Sequence, residues 1–319
     1  MIKKINKIAV IGSGIMGSRI ACHFANIGVE VLLLDIVHKD EDKNRNKIVN
    51  EHLKNTLRSK PSPIYSKSFA NRIQTGNLED DLHKINQVDW VIEVIIENLE
   101  IKKQLFEQIE KYRKPGTIIS SNTSGIPINK MISDRSEDFC KHFCGTHFFN
   151  PPRYLKLLEI IPSQKTNSDL ISFLMSYGEK FLGKTTVLCK DTPAFIANRI
   201  GIAGIAALFK LSEELDMSVE EIDSLTGPII GRPKSATFRT SDLVGLDTLN
   251  IVAEGVYNNC LDDEQRSIFN LPSFIQKMLT NKWLGDKTKQ GFYKKDRDKK
   301  GNRTILALNL KSFEYSEKK

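Results

Sequence analysis

The sequence lacks a Cys-x-x-Cys pair, and its five cysteines (Cys22, Cys140, Cys144, Cys189 and Cys260) are odd in number. That argues against a zinc knuckle and a disulfide framework, and points to a reducing compartment, the cytoplasm. Long apolar runs are missing as well. The longest, such as Ile200 to Phe209, reach about half the length that crosses a bilayer, so no membrane insertion is expected. The opening Met1-Ile-Lys-Lys before Ile8-Ala-Val-Ile-Gly12 resembles a leader, but its apolar stretch is short and broken by Gly12, Gly14 and Gly17. It reads instead as a buried first strand. Internal repeats and low-complexity tracts are absent too. Charge is only mildly one-sided: 47 Lys and Arg against 39 Asp and Glu give +8. Half of that excess lies between Lys294 and Arg303, where six basic residues meet two acidic ones. A local excess of this kind is weak support for a nucleic-acid partner and suits an acidic small molecule equally well.

What is present is an ordinary globular composition, 40% hydrophobic and 27% charged over 319 residues, enough for two domains. Short apolar runs at Ile8–Ile11, Val31–Leu34, Trp90–Ile96, Thr117–Ser120, Cys144–Phe149 and Leu155–Ile161 alternate with helical patterns such as Ile15–Ile27 and Ile101–Tyr112. That alternation predicts an α/β domain over 1–188, with a Rossmann-type, doubly wound, mainly parallel sheet. Lys39–Lys60 is expected as a helix on the flank of that sheet, ended by Pro61-Ser62-Pro63. From 189 to 319 the character changes. Thr192-Pro193 reads as the start of a long apolar helix, Ser218 with Glu221 as a capping box, and Asp242–Tyr257 and Pro272–Leu279 as further helices. An all-helical C-terminal domain is expected, with Ile305–Leu310 left open between a short strand and a surface segment.

Gly12-Ser-Gly14-Ile15-Met16-Gly17 follows the first strand and opens the first helix. Gly12 permits the tight turn, Gly14 lets the backbone reach a pyrophosphate, and Gly17 lets helix and strand pack closely. The N–H groups at the helix start, including those of Ile15 and Met16, then face the phosphates. Asp35 ends the second strand at the distance expected of a ribose 2′-hydroxyl partner, and its charge opposes a 2′-phosphate. The cofactor is therefore read as NAD rather than NADP.

Three segments carry polar residues at strand ends, where doubly wound sheets bind ligands: Glu93–Asn98, Ser121–Ser124 and Thr146–Pro152. His147 is the acid–base candidate there. Glu159 is the single carboxylate within the apolar run Leu155–Ile161, and such a group needs a partner to offset its desolvation. The two read as a histidine base held in one tautomer by a carboxylate. Cys140, His142, Cys144 and His147 match no usual zinc spacing, so no metal is expected.

Taken together, GSGIMG, VIEVIIENL, SNTSGIPI, GTHFFNPP, LKLLEIIP, KDTPAFIANR and the late GDKTKQGFY resemble the L-3-hydroxyacyl-CoA dehydrogenases of fatty-acid β-oxidation. The resemblance runs from Lys7 to about Lys294. It is strongest to the dehydrogenase portion of bifunctional proteins that also carry an enoyl-CoA hydratase, which share the run at Gly231–Leu249. The resemblance implies His147 as catalytic base and Glu159 as its orienting carboxylate. It implies Ser124 and Asn198 as contacts to substrate and histidine, and Asp35, Glu97, Lys102, Ser124, Asn150 and Lys287 as NAD contacts. Its CoA contacts do not transfer, because Val37–Lys60 is rearranged. Lys39, Lys43, Arg45 and Lys47 either serve the CoA phosphates or form a solvated helix face.

The expected reaction is NAD-dependent oxidation of L-3-hydroxyacyl-CoA to 3-oxoacyl-CoA. The alternatives are a non-catalytic dinucleotide-binding or structural protein on the same fold, or a dehydrogenase of CoA-free 3-hydroxy acids. The C-terminal domain is expected to bind the acyl-CoA and to join a homodimer. Hydration of an enoyl-CoA by this chain is not expected.

Overall fold

The computed structural model describes residues 4–38, 44–297 and 301–318. The chain divides into two compact units, one ending at Phe195 and one beginning at Ile196. The division lies beyond the expected limit after residue 188 because the intervening segment stays with the first unit. Cys189 N donates to the carbonyl of Ile160 at 2.8 Å, and Cys189 and Phe195 are buried with Ile161 in one core cluster.

The first unit runs β1 (Lys7–Ile11), α1 (Ile15–Asn26), β2 (Glu30–Asp35), α2 (Lys47–Arg58), β3 (Ile73–Asn77), β4 (Trp90–Glu93) and α3 (Leu99–Tyr112). It continues with β5 (Ile118–Ser121), α4 (Ile128–Met131), α5 (Glu137–Lys141), β6 (Phe143–Phe148), β7 (Leu157–Pro162), α6 (Ser168–Lys180) and β8 (Thr185–Leu188). The strands form one eight-stranded sheet in the order β3-β2-β1-β4-β5-β6-β7-β8. Neighbours pair in parallel except β6 and β7, which are antiparallel. Both faces of the sheet are covered, which explains why its inner strands β1, β2 and β4 are largely apolar on both sides. Ile8 and Val10 of β1 pack with Ile20 and Phe24 of α1 on one face, whereas Ala9 and Ile11 pack in the cluster of Leu105, Phe106 and Phe139 on the other. The chain winds outward from β1 to β3 and then returns to place β4 beside β1. That reversal opens a crevice beyond the carboxyl ends of β1 and β4.

The flanking helix is shorter than expected. It begins at Lys47, after a turn at Arg45 and Asn46, and residues 39–43, with Lys39 and Lys43, lie outside the described residues. Arg45 is ion-paired with Glu79 and Asp80 at 2.8 and 2.7 Å.

The second unit contains α7 (Ala197–Glu214), α8 (Val219–Leu225), α9 (Phe238–Val244), α10 (Leu246–Asn259) and α11 (Ser273–Thr280). It ends in β9 (Tyr293–Arg297), β10 (Arg303–Leu308) and β11 (Tyr315–Glu317). Three expectations change here. The helix does not start at Pro193, because Ala194 and Phe195 take φ of 61° and 50° and turn the chain before Ala197. The single helix expected over Asp242–Tyr257 is two, broken where Gly245 adopts φ 98°. Lastly, this mainly helical unit is not all-helical: β9, β10 and β11 form an antiparallel sheet, and Ile305–Leu308 is a strand. Its core centres on Phe209, Phe238, Phe274 and Phe292, with the Phe238 and Phe292 centroids 4.6 Å apart, edge to face. No helix among the described residues is long and apolar enough to cross a membrane.

Candidate active site

The glycine turn is built as its spacing demands. Gly12 has φ 99°, and a Cβ there would lie 2.5 Å from the carbonyl oxygen of Val94 on β4's exit. A Cβ on Gly17 would strike the carbonyl of Gly12. Gly14 is different: nothing of the protein lies within 4 Å of its Cβ position, so the protein itself does not require glycine there. The space is what a ligand's phosphates would use. No side chain caps α1, whose N-cap is Gly14, and the first-turn N–H groups of Ile15, Met16 and Gly17 point out of the turn. Asp35 closes this site. Its Oδ2 accepts from the N–H (2.6 Å) and the hydroxyl of Ser13, and its Oδ1 accepts from Ile36 N at 2.7 Å. A carboxylate offers about four acceptor positions, so capacity remains for a ribose hydroxyl. His52, on α2, places Nδ1 2.8 Å from the Ser13 hydroxyl. These residues fit a dinucleotide.

The carboxyl end of β4 holds a charge network. Lys102, 1% exposed, extends its ammonium between two glutamates: 2.6 Å to Glu93 Oε1 and 3.4 Å to Glu97 Oε2. Its third direction is the Ile95 carbonyl at 3.5 Å. Burial pushes the Glu93 carboxyl above its ordinary range, against the pull of Lys102 and of hydrogen bonds from Ser121 and Ile95 N. Burial also acts upward on Glu97, but there Lys102 and the donors of Thr123 and Ser124 outweigh it and hold the carboxyl low. Glu97 Oε1 accepts from Thr123 Oγ1 (2.6 Å), Ser124 N (2.9 Å) and Gly125 N (3.2 Å), and so clamps the loop after β5. Lys102, with its donors engaged and its side chain sealed, positions this loop through Glu97.

The same loop meets β6. Asn122 Oδ1 accepts from Phe148 N at 2.9 Å, next to His147. His147 and Glu159 are direct partners across the antiparallel β6/β7 pair, so their side chains share one face. His147 Nδ1 lies 2.6 Å from Glu159 Oε2, with the two residues 5% and 0% exposed. The rings of Phe149 and Phe195 flank the imidazole at 4.4 and 5.8 Å between centroids. Because the carboxylate only accepts, Nδ1 carries the proton and Nε2 presents a lone pair. An imidazole held in this way can accept a proton at Nε2.

The model for the NAD-binding domain of 3-hydroxyacyl-CoA dehydrogenase matches residues 7–192, and that for the C-terminal domain of 3-hydroxyacyl-CoA dehydrogenase matches residues 195–295. The chain belongs to the 3-hydroxyacyl-CoA dehydrogenase family. A probable 3-hydroxyacyl-CoA dehydrogenase of Bacillus subtilis is 48% identical over 331 residues, covering 100% of this chain and 41% of that protein. Another, of Deinococcus radiodurans, is 47% identical over 297 residues, covering 93% of this chain and 85% of that protein. The crystal structure of (S)-3-hydroxybutyryl-CoA dehydrogenase from Ralstonia eutropha matches with a TM-score of 0.75 and 27% identity, over 90% of this chain and 98% of that one. The chain thus spans less than half the length of the Bacillus protein and most of the other two.

The remaining residues expected from the 3-hydroxyacyl-CoA dehydrogenase pattern fall in two groups. In the first unit, Ser124 is exposed on the clamped loop, and Asn150 Oδ1 accepts from Arg19 of α1 at 2.5 Å. In the second unit, Asn198 lies half-buried in the first turn of α7, and Lys287 is ion-paired with Asp247. Sequence reasoning missed Glu93 as a participant, although it is the innermost member of the charge network. The available signal was a carboxylate at the end of an otherwise apolar strand, nine positions before a lysine on the following helix. Among the described residues, no group of three His, Cys, Asp or Glu side chains converges on a metal position.

Proposed function

We propose that this chain oxidises L-3-hydroxyacyl-CoA to 3-oxoacyl-CoA with NAD, as a step of fatty-acid β-oxidation, with His147 as general base. The observation that carries this reading is the buried 2.6 Å pair of His147 and Glu159. Nε2 of His147 takes the proton from the 3-hydroxyl, and Glu159 offsets the positive charge that the imidazole then holds. The chemistry supplied by NAD, when bound, is acceptance of the hydride that leaves C3. The turn at Gly12, Gly14 and Gly17, with the N–H groups of Ile15 and Met16, holds the pyrophosphate, and Asp35 holds the adenosine ribose. Glu97, Ser124, Asn150 and Lys287 contact the cofactor, with Lys102 acting through Glu97. Ser124 and Asn198 orient the hydroxyl and the thioester carbonyl. Phe149 and Phe195 keep water from the imidazole.

The second unit receives the acyl-CoA and joins a homodimer, a reading supported by Ile200, Ile229 and Ile251, each at least 68% exposed. The cysteines, four of them buried and all free, suit the cytoplasm. The test is NADH consumption with acetoacetyl-CoA. Activity with the thioester and none with free acetoacetate supports the assignment. Equal rates with both refute the CoA requirement, and no oxidation or reduction with either refutes the enzyme.

A further inference from the structure

The second unit contains a cavity of about 760 Å³. Its walls come from α8, the segment before α9, the turn at 286–289, and strands β9 and β10. None of its lining residues is among those assigned to hydride transfer. Lys234, Lys289, Lys294, Lys295 and Lys318 all line it. Lys294 and Lys295 belong to the local basic excess noted in the sequence between Lys294 and Arg303.

The carboxylates of the cavity, Glu220, Asp223 and Asp286, are fewer than its cations, the five lysines and Arg239. Asp286 is held in a two-pronged pair by Arg239, at 2.5 and 2.7 Å. Asp223 accepts the backbone N–H groups of Thr237, Phe238 and Arg239 and, at 2.8 Å, the Tyr293 hydroxyl. Glu220 is the one further carboxylate in the lining. Among the described residues, none of the five lysines reaches a carboxylate within ion-pair distance. Two are ordered against aromatic faces instead: the Lys318 ammonium lies 5.2 Å from the Tyr293 ring and that of Lys294 lies 5.8 Å from the Tyr315 ring.

The remainder of the lining is apolar. The Tyr293 ring, buried and tied by its hydroxyl, forms one surface with Ile305 and Pro228. A cavity of this volume lies within the range of small-molecule sites, which combine an apolar body with a few charged groups. Six cationic side chains against three carboxylates leave the lining with an excess of three positive charges, more than one carboxylate or one phosphate monoester would neutralise, and lysine binds phosphoryl oxygens as a point charge.

From this we propose that the cavity binds a nucleoside polyphosphate: phosphoryl groups among the lysines, organic body against Tyr293 and Ile305. The shared chemistry is a nucleoside carrying at least a diphosphate. Its source is either a free nucleotide or the nucleotide end of a coenzyme A molecule.

The test is calorimetric titration of the full chain with NAD saturating, so that the dinucleotide crevice is filled. ATP, coenzyme A and inorganic triphosphate are the probes. The proposal expects one further site, weakened about tenfold or more in a K294Q/K295Q variant, since removing a single charge-assisted hydrogen bond costs about a factor of ten. The NAD KM and the turnover of that variant stay at wild-type values. Binding of ATP that K294Q/K295Q weakens identifies a free nucleotide as the source, and binding of coenzyme A, but not ATP, that the variant weakens identifies the coenzyme. Coenzyme A bound equally by both chains occupies the substrate site and overturns that source. Inorganic triphosphate binding as tightly as either would overturn the apolar half of the site. No additional site with NAD present, or an affinity unchanged in K294Q/K295Q, would overturn the proposal.

Discussion

Replacing Lys102 with methionine isolates the charge network behind the crevice. Methionine preserves the length of the apolar stem and removes the ammonium, leaving Glu93 fully buried without its 2.6 Å partner. Removing one member of a buried pair costs about 3–5 kcal/mol when the survivor must stay charged. Glu93 has a cheaper escape, which is to take up a proton. Its carboxyl is already pushed up by burial, and Lys102 is the largest influence pulling it back. Without that lysine the folded state holds a neutral Glu93, while the unfolded chain titrates at its ordinary 4.5. A carboxyl raised in the folded state stabilises it only below the unfolded pKa, and the contribution is lost as pH rises. At about 1.4 kcal/mol per unit above 4.5, Lys102→Met therefore loses at most about 3 kcal/mol at pH 7 and at most about 1 kcal/mol at pH 5, each reduced by what the already raised Glu93 of the wild type loses. Urea denaturation followed by circular dichroism at the two pH values measures this. Glu93→Gln in the same chain removes the titrating group and flattens the difference. A deficit for Lys102→Met that is equal at both pH values, or larger at pH 5, would refute the reasoning.

Three further outcomes are expected. Glu159→Gln keeps the shape of the pair but loses its charge, and turnover falls about 10- to 150-fold, the worth of a charge-assisted hydrogen bond; steady-state kinetics within threefold of wild type would dissolve the pairing. Asp35→Asn removes the charge that opposes a 2′-phosphate, so the preference for NAD over NADP narrows by about 10- to 100-fold in kcat/KM; an unchanged ratio would take cofactor selection away from Asp35. Asp242, which accepts Phe292 N and Tyr293 N at 2.8 Å each, is pushed up to about 7 by burial. The folded state therefore loses stability as pH rises from about 4 to 7, and denaturation of Asp242→Asn should show that slope removed.

The first unit was legible because its signals are local. Ile8–Ile11 and the three glycines that follow compress a strand, a turn and a helix start into a short stretch, and β1, α1 and β2 formed where that stretch predicts. Glu159 was legible for a different reason: an apolar strand seldom carries a carboxylate without a partner. The Glu93–Lys102–Glu97 network was only half seen. Glu97 and Lys102 were read singly and Glu93 only as the start of a polar segment, and the hydrogen bonds that couple the glutamates to Ser121 and Thr123 span 26 to 28 residues. Local reading was misled just before α7 and again in the closing sheet of the second unit. Thr192-Pro193 carries a helix-start signal, yet the left-handed backbone at Ala194 and Phe195 delays the helix, a tertiary outcome. Tyr293-Lys-Lys-Asp-Arg297 has no apolar alternation, and becomes β9 by pairing with β10.

The central claim is that His147 takes the proton from the 3-hydroxyl, held for that task by Glu159. A single-turnover experiment tests it most directly. His147→Ala is loaded with NAD and mixed with L-3-hydroxybutyryl-CoA, while NADH formation is followed by absorbance and NAD affinity is measured separately. The expected result is hydride transfer slowed by about 10²–10⁴-fold with NAD affinity unchanged. A variant that keeps more than roughly a tenth of the wild-type rate would contradict the claim, since a lost general base cannot cost so little.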